Sequence, residues 1–190
     1  SAFLLNRSSD LRFLGNCTIA LSGWNTVRGF NEYYPGILAA KQYGNGEEYT
    51  LTIEGDGYLY AYSNGYGAGI GSSRDGYCGN ITISGGEVTG SGGVEAAGIG
   101  SGRDGICGNI TISGGKVFAK GGNDAAGIGS GAYGGICGDI TISGGEVATS
   151  APYAAGIGSG QEGTSGNITI SGGEVIAKGG SNAAGIGGRI

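Results

Sequence analysis

Apolar residues in this chain fall into a short phrase that returns. Asn80-Ile81-Thr82-Ile83-Ser84 alternates polar and apolar with period two, as a strand with one buried face requires. The same Ile-Thr-Ile-Ser-Gly-Gly phrase recurs at Ile110, Ile140 and Ile168, and a Val follows each time, at Val88, Val117, Val147 and Val175. A second anchor, Gly-Ile-Gly, places Ile70, Ile99, Ile128, Ile157 and Ile186 at intervals of 29 residues. One extra residue near 132–135 and one fewer near 150–153 offset each other, so the period survives. Self-similarity of this length marks a linear array of stacked units.

Each unit reads as strand and turn throughout. Gly85-Gly86 ends the first strand and permits positive φ at a tight corner. Glu87-Val88-Thr89 predicts a second strand and Ala68-Gly69-Ile70-Gly71 a third. No stretch of the repeats carries apolar residues at helical spacing with capping signals. The expected fold is all-β: a single-stranded right-handed parallel β-helix, or β-solenoid, with coils of about 29 residues and three short strands each. One coil cannot bury its own aliphatics, so coils stack at the strand spacing of roughly 4.8 Å around an inner column of Ile and Val. Ala97, Gly98, Ala126 and Gly127 keep one inward corner thin.

Residues 1–190 form one domain on this reading, with 1–60 as divergent N-terminal coils and cap-like loops and 61–190 as regular repeats with an open C-terminal end. In the divergent part, Phe3-Leu4-Leu5, Leu11-Arg12-Phe13 and Cys17-Thr18-Ile19-Ala20-Leu21 are strand candidates, and Gly36-Ile37-Leu38 takes the place of Gly-Ile-Gly. The run from Tyr49 to Leu59 is an early form of the Ile-Thr-Ile phrase and its following strand, while 30–35 and 41–48 are loops. Five to six coils make a rod about 25–30 Å long. The chain starts at Ser1, contains no Met and stops within a repeat, which fits a piece of a longer exported protein with further domains.

Composition narrows the partners. The net charge is −5 and no basic run exists, which argues against nucleic acid and anionic membranes. No apolar run approaches the ~18 residues that span a bilayer, so membrane insertion is not expected. Cys78, Cys107 and Cys137 occupy equivalent places in successive coils, with Ser165 in the next. At strand spacing, two of them fall within the ~4.4–6.8 Å Cα range of a disulfide, and both a bridged and an unbridged column remain open. The chain has neither His nor a Cys-x-x-Cys pair, which argues against zinc. Cys17 alternates with Ile19 and Leu21 and reads as core.

The segments from Thr18 to Val27 and from Leu51 to Gly57, together with the Ala-Gly-Ile-Gly and Asn-Ile-Thr-Ile-Ser-Gly-Gly phrases, resemble a family of surface repeat proteins. These belong to clostridia and related gut bacteria and are often labelled carbohydrate-binding or polysaccharide-lyase-like. The resemblance covers nearly the whole chain from about Cys17 and implies an exported right-handed parallel β-helix, extracellular or on the cell surface. It supplies no catalytic residues, and none is assigned.

Four sets of side chains could carry chemistry. Tyr58, Tyr60 and Tyr62 alternate with Leu59 and Ala61, so three rings point outward from one strand, with Trp24, Tyr33, Tyr34 and Tyr66 on nearby coils or loops. Such rings suit the apolar faces of sugars, and they equally suit a cover over the first coils. Exposed Phe118, next to Val117, is a further contact candidate. Arg74-Asp75 and Arg103-Asp104 recur after Gly-Ile-Gly, and Asp75 and Asp104 stacked a coil apart could hold Ca²⁺ or serve a lyase, or simply form Arg–Asp pairs in a solvated turn. The outward ranks of Asn80, Thr82 and Ser84 and their equivalents could order water or ice, or form ladders that only stabilise the stack. The run from Gly98 to Gly102 lacks the helix a phosphate cradle needs and is turn chemistry. The outward column of Glu87, Lys116, Glu146 and Glu174 sets opposite charges side by side at its first two contacts as a stacking aid. The expectation is a non-catalytic surface module, adhesin or carbohydrate-binding, contacting a polysaccharide or host-surface glycan through Trp24, Tyr58, Tyr60, Tyr62 and Phe118, with calcium as the one conceivable cofactor. The competing expectations are a calcium-dependent lyase using Asp75 and Asp104, and a structural spacer or water-ordering array.

Overall fold

The repeated phrases become rungs. The computed structural model describes residues 11–13, 15–39 and 49–188, so Phe3-Leu4-Leu5 and the expected loop at 41–48 lie outside the described residues. Among these residues there are only strands and turns, and every ladder is parallel. The Ile-Thr-Ile ladder runs Cys17–Leu21, Thr50–Gly55, Asn80–Ile83, Ile110–Ile112, Ile140–Ile142, Ile168–Ile170. After the Gly-Gly corner comes the Val ladder: Trp24–Arg28, Tyr58–Tyr62, Glu87–Ser91, Lys116–Lys120, Glu146–Ser150, Glu174–Lys178. The Ile-Gly ladder starts with Leu11–Phe13 and Ile37–Ala39, then runs through Ile70–Gly71, Ile99–Gly100, Ile128–Gly129, Ile157–Gly158 and Ile186–Gly187.

A fourth ladder joins the three that spacing predicts. Ile106–Cys107, Ile136–Cys137 and Thr164–Ser165 pair in parallel, and Tyr77 bridges to Ile106 above them. Two residues are too few to show a period of two in sequence, which is why the segment reads as turn. Inside this ladder Cys78 and Cys107 form a disulfide with Cα atoms 4.6 Å apart, resolving the open column into one bridge. Cys137, one rung on, is a free buried thiol whose pKa burial raises to about 12. Cys17 pairs with Leu51 and is half-buried, its thiol also pushed up by burial.

Register follows the sequence rung by rung. Ile110 pairs with both Ile81 and Ile140, and Val117 with both Val88 and Val147. The extra residue near 132–135 is taken up in the turn before Ile136, so the ladders beyond it stay aligned. Ile70, Ile81, Ile83, Ile99, Ile110, Ile112, Ile128, Ile140, Ile142 and Ile157 are completely buried, and each such side chain contributes about 1.5–3 kcal/mol of apolar burial.

Polar groups are paid in kind along the same columns. Ser72, Ser101 and Ser130 are fully buried, and their Oγ atoms accept hydrogen bonds from Gly102 N, Gly131 N and Gly160 N at 2.9, 2.8 and 2.9 Å. Outside, the side-chain oxygens of Asn80, Asn109 and Asp139 accept from the next rung's backbone N–H at 2.8, 2.8 and 2.7 Å. At the second Gly of Gly-Ile-Gly the backbone is in the region glycine favours, with φ 136° at Gly100, and a Cβ there would collide with the Gly129 carbonyl oxygen.

Candidate functional site

Alternation along the Val ladder decides which side chains face out. In Tyr58–Tyr62, Leu59 and Ala61 are buried while Tyr58, Tyr60 and Tyr62 stand half-buried on the outer face. Register then lines up three outward columns. The first holds Trp24, Tyr58, Glu87, Lys116, Glu146 and Glu174; the second Thr26, Tyr60, Thr89, Phe118, Ala148 and Ile176; the third Arg28, Tyr62, Ser91, Lys120, Ser150 and Lys178. All five residues proposed for ligand contact therefore share one face.

The rings associate in pairs. Trp24 is 86% exposed, and its ring centroid lies 4.7 Å from that of Tyr58 at 43°. Tyr60 and Tyr62 stack at 5.0 Å and 18°. Neighbouring Asn25 takes an inward position that Leu59 fills on the next rung, and its Nδ2 donates to the carbonyls of Ser22 and Tyr58, each at 3.1 Å. Those bonds fix the end of the sheet beneath Trp24. Phe118 is half-buried, more sheltered than expected, and sits two rungs beyond Tyr60 with Thr89 between them. Lys116 Nζ lies 5.3 Å from the Phe118 ring centroid, within cation–π range.

Small Ala148 between Phe118 and Ile176 leaves the surface notched. On one side is a hollow of about 310 Å³ bordered by Lys120, Ser150 and Lys178; on the other, one of about 120 Å³ bordered by Lys116, Glu146 and Glu174. Neither is visible in any single repeat, because each arises from unlike residues on adjacent rungs.

Tyr33 and Tyr66 belong elsewhere. They interleave with two arginines at another corner: the Arg74 guanidinium carbon lies 5.8 Å from the Tyr33 ring centroid and 5.1 Å from that of Tyr66, and Arg103 lies 5.5 Å from Tyr66 and 4.7 Å from Tyr133. Arg103 Nη1 also meets Glu95 Oε2 at 2.7 Å. The Tyr33 hydroxyl is pushed above its usual range, first by its hydrogen bond to Glu32 and then by that carboxylate's charge. Backbone bonds join the two turns involved, with Arg74 N donating to Tyr33 O and Arg103 N to Tyr66 O. The repeated arginines and the 29-residue period were a usable signal for this stack, but its tyrosines sit at different repeat positions.

Asp75 and Asp104 have a conformational reason to recur. Both adopt positive φ, 53° and 54°, as do Tyr133 and Glu162 at the same place in later coils, and Asp tolerates that conformation better than most residues. Asp104 Oδ2 meets Arg103 Nε at 3.2 Å and its Oδ1 accepts from Gly134 N at 3.0 Å. Asp75 Oδ2 lies 3.2 Å from Arg74 Nε, but the contact is not aligned as a hydrogen bond, and that nitrogen is left unpartnered. No group of three or more His, Cys, Asp or Glu side chains gathers among the described residues.

The Thr rank is longer than the repeats suggest: Thr18, Thr52, Thr82, Thr111, Thr141 and Thr169 stand in register on consecutive rungs. The Asn rank beside it is engaged in the backbone bonds already described.

The sequence signature described as a beta helix repeat matches residues 51–74, 81–103, 110–132, 140–161 and 168–188, together more than half of the chain. Each matched segment begins in the Ile-Thr-Ile ladder and ends just beyond the Ile-Gly ladder, so Trp24 and its rung lie outside the matches. No curated protein and no solved structure matches the chain.

Proposed function

This chain belongs to the beta helix repeat family, and on that premise we propose that it is a non-catalytic binding module, displayed outside a bacterial cell, that holds a carbohydrate chain along the outer face of the Val ladder. The aromatic run carries the reading: Trp24 against Tyr58 at 4.7 Å and Tyr60 against Tyr62 at 5.0 Å, on one rigid sheet. Rings already held by neighbours lose little freedom on binding, offer flat apolar surface to sugar rings, and add hydroxyls for sugar hydroxyls. The Cys78–Cys107 bridge favours an oxidising compartment, and the likeness to clostridial surface repeat proteins points the same way. Asp104 is already committed to Arg103 and a backbone amide, which supports a structural duty over a lytic one.

The test is calorimetric titration with a panel of neutral and acidic polysaccharides. Replacing Tyr58, Tyr60 and Tyr62 together by Ala is expected to weaken binding about tenfold or more, from roughly 0.5–1.5 kcal/mol per ring contact. An unchanged affinity in the triple variant removes the reading. Release of unsaturated products from uronate polymers in the presence of Ca²⁺ replaces it with a lyase.

One observation favours a second reading, a water-ordering face: the six in-register threonines from Thr18 to Thr169. Absence of thermal hysteresis in the protein solution dismisses it.

A further inference from the structure

We propose that the hollow over Ala148 is an anion-selecting subsite, which takes a sugar residue bearing a carboxylate or sulfate group. This deepens the carbohydrate-binding reading and rests on it.

The hollow is built by size. Phe118, Ala148 and Ile176 follow one another in a single outward column, so two large side chains flank a methyl group and open a hollow of about 310 Å³ that extends from Ala148 to Lys120, Ser150 and Lys178. A sugar ring set there meets the Phe118 ring on one side and Ile176 on the other. Ile176 faces outward and lines the hollow.

Charge supplies the selectivity. Lys120 and Lys178 border the hollow from the third column, two rungs or roughly 10 Å apart, with Ser150 between them. Among the described residues no carboxylate pairs with either lysine. Two uncompensated cations at one hollow run against a chain whose net charge is −5, so the local field there attracts what the rest of the surface repels. Across the ridge of Phe118 and Ile176, Lys116, Glu146 and Glu174 border the smaller hollow, with two carboxylates to one ammonium. Those carboxylates accept hydrogen bonds from sugar hydroxyls and exclude a second anion. A glycan is thereby oriented, its acidic substituent toward Lys120 and Lys178 and a hydroxyl edge toward the glutamates.

An extended acidic peptide fits less well. Peptides that add to sheets pair in the plane of the sheet at a free strand edge, whereas the hollow lies on the outer face, over the strand Glu146–Ser150 that is already paired on both sides. The aromatic platform continues along the same face, with Phe118 in the column of Tyr60, and so gives a glycan further contacts on one line.

The experiment titrates the whole chain with a neutral glucan, a uronate polymer, a sulfated polysaccharide and an acidic peptide, at low and high salt. Wild type is expected to prefer the acidic polysaccharides, with an affinity that falls as salt rises. The double variant Lys120→Ala with Lys178→Ala should lose roughly fivefold affinity for acidic polysaccharides and most of the salt dependence, and leave neutral-glucan affinity unchanged. Ala148→Leu fills the hollow with no change of charge and should abolish the preference equally. All three side chains face outward, and thermal melts of the variants verify the fold. Equal wild-type binding of neutral and acidic polymers overturns the subsite, as does an indifferent lysine double variant, or competition by the acidic peptide at the same potency. A silent lysine variant beside a damaging Tyr58, Tyr60 and Tyr62 triple variant sinks the subsite alone; no binding of any glycan sinks both proposals.

Discussion

Thr149→Val should make this protein more stable. Thr149 faces inward in a column whose other members are Val27, Ala61, Gly90, Ala119 and Ala177. It is 4% exposed, and its Oγ1 has no hydrogen-bond partner. A buried hydroxyl without a partner costs about 1–3 kcal/mol, and an apolar group of the same shape removes that cost. Shape matters here because the side chain is closely bounded: a Cβ built on Gly156 would lie 2.8 Å from Thr149 Oγ1, and one on Gly127 2.9 Å from Thr149 Cβ. Valine keeps the branching and fits; isoleucine adds a carbon and overpacks. The expected gain of about 1–3 kcal/mol corresponds to roughly 2–4 °C in Tm per kcal/mol for a chain of this length. Stacked rungs can open locally, so guanidinium unfolding is best paired with hydrogen exchange at Lys116–Lys120 and Glu174–Lys178, the strands on either side. Thr149→Ala should fall near wild type, since relief of the hydroxyl is offset by the lost methyl. Thr149→Ser keeps the hydroxyl and loses the methyl, and should be less stable by about 1 kcal/mol. A valine variant less stable than wild type, beside a serine variant equal to it, would mean that the hydroxyl is satisfied and the reasoning wrong.

The disulfide Cys78–Cys107 closes a sequence separation of 29 residues, and its reduction should lower stability by about 3–4 kcal/mol on the chain-entropy estimate, read as a shift in denaturant midpoint with and without reductant. Cys137 has an ordinary pKa of 9.0 and about 12 in the fold. Between those values the unfolded chain has released the proton that the fold retains, so the thiol's contribution is whole below pH 9 and fades at about 1.4 kcal/mol per unit up to pH 12. The stability difference between wild type and Cys137→Ala should therefore shrink between pH 8 and pH 10.5, and a constant difference would contradict the buried, neutral thiol. Asn109 Oδ1 accepts from Asp139 N at 2.8 Å on the outer face, and Asn109→Ala should cost about 0.5–1.5 kcal/mol, seen as faster amide exchange at Asp139.

What sequence reading could reach is set by direction. Contacts along a column join equivalent positions of successive repeats, so Ile81 with Ile110 and Val88 with Val117 follow from the period alone, whereas the period stacks three cysteines and does not say which two are bridged. Contacts between columns, or between two turns of one coil, join positions the period does not relate. The stack of Tyr33, Arg74, Tyr66, Arg103 and Tyr133 is of that kind, since it needs the turn after the Val ladder to lie against the turn after the Ile-Gly ladder. Alternation in Tyr58–Tyr62 was enough to point three rings outward; it could not tell that Tyr60 would pair with Tyr62 while Tyr58 turned to Trp24.

The same distinction separates scaffold from function in this molecule. Positions held constant from coil to coil are those whose partners recur in the next coil: inward isoleucines, buried serines, and the outer Asn rank that caps the next rung's amide. Asp75 and Asp104 recur for a related reason, because their place in the turn requires positive φ, and later coils meet that need with Tyr133 and Glu162. Recurrence in a solenoid thus reports on stacking, and a ligand that fills one place on the surface has to be met by what differs between coils. The outward columns of the Val ladder vary most in this way, from Trp24 and Tyr58 to Glu87 and Lys116, and from Tyr60 through Phe118 to Ala148 and Ile176. Grafting shows whether that variation is functional: replacing Phe118, Lys120 and Ile176 by the Thr, Ser and Ala found at Thr89, Ser91 and Ala148 levels the surface around Ala148 while leaving every inward residue and the rings from Trp24 to Tyr62 untouched. The grafted variant should melt within about 6 °C of wild type, as outward substitutions seldom exceed 0.5 kcal/mol each, and should lose its preference for acidic glycans. A grafted variant that keeps that preference would place the acidic selectivity outside Phe118, Lys120 and Ile176.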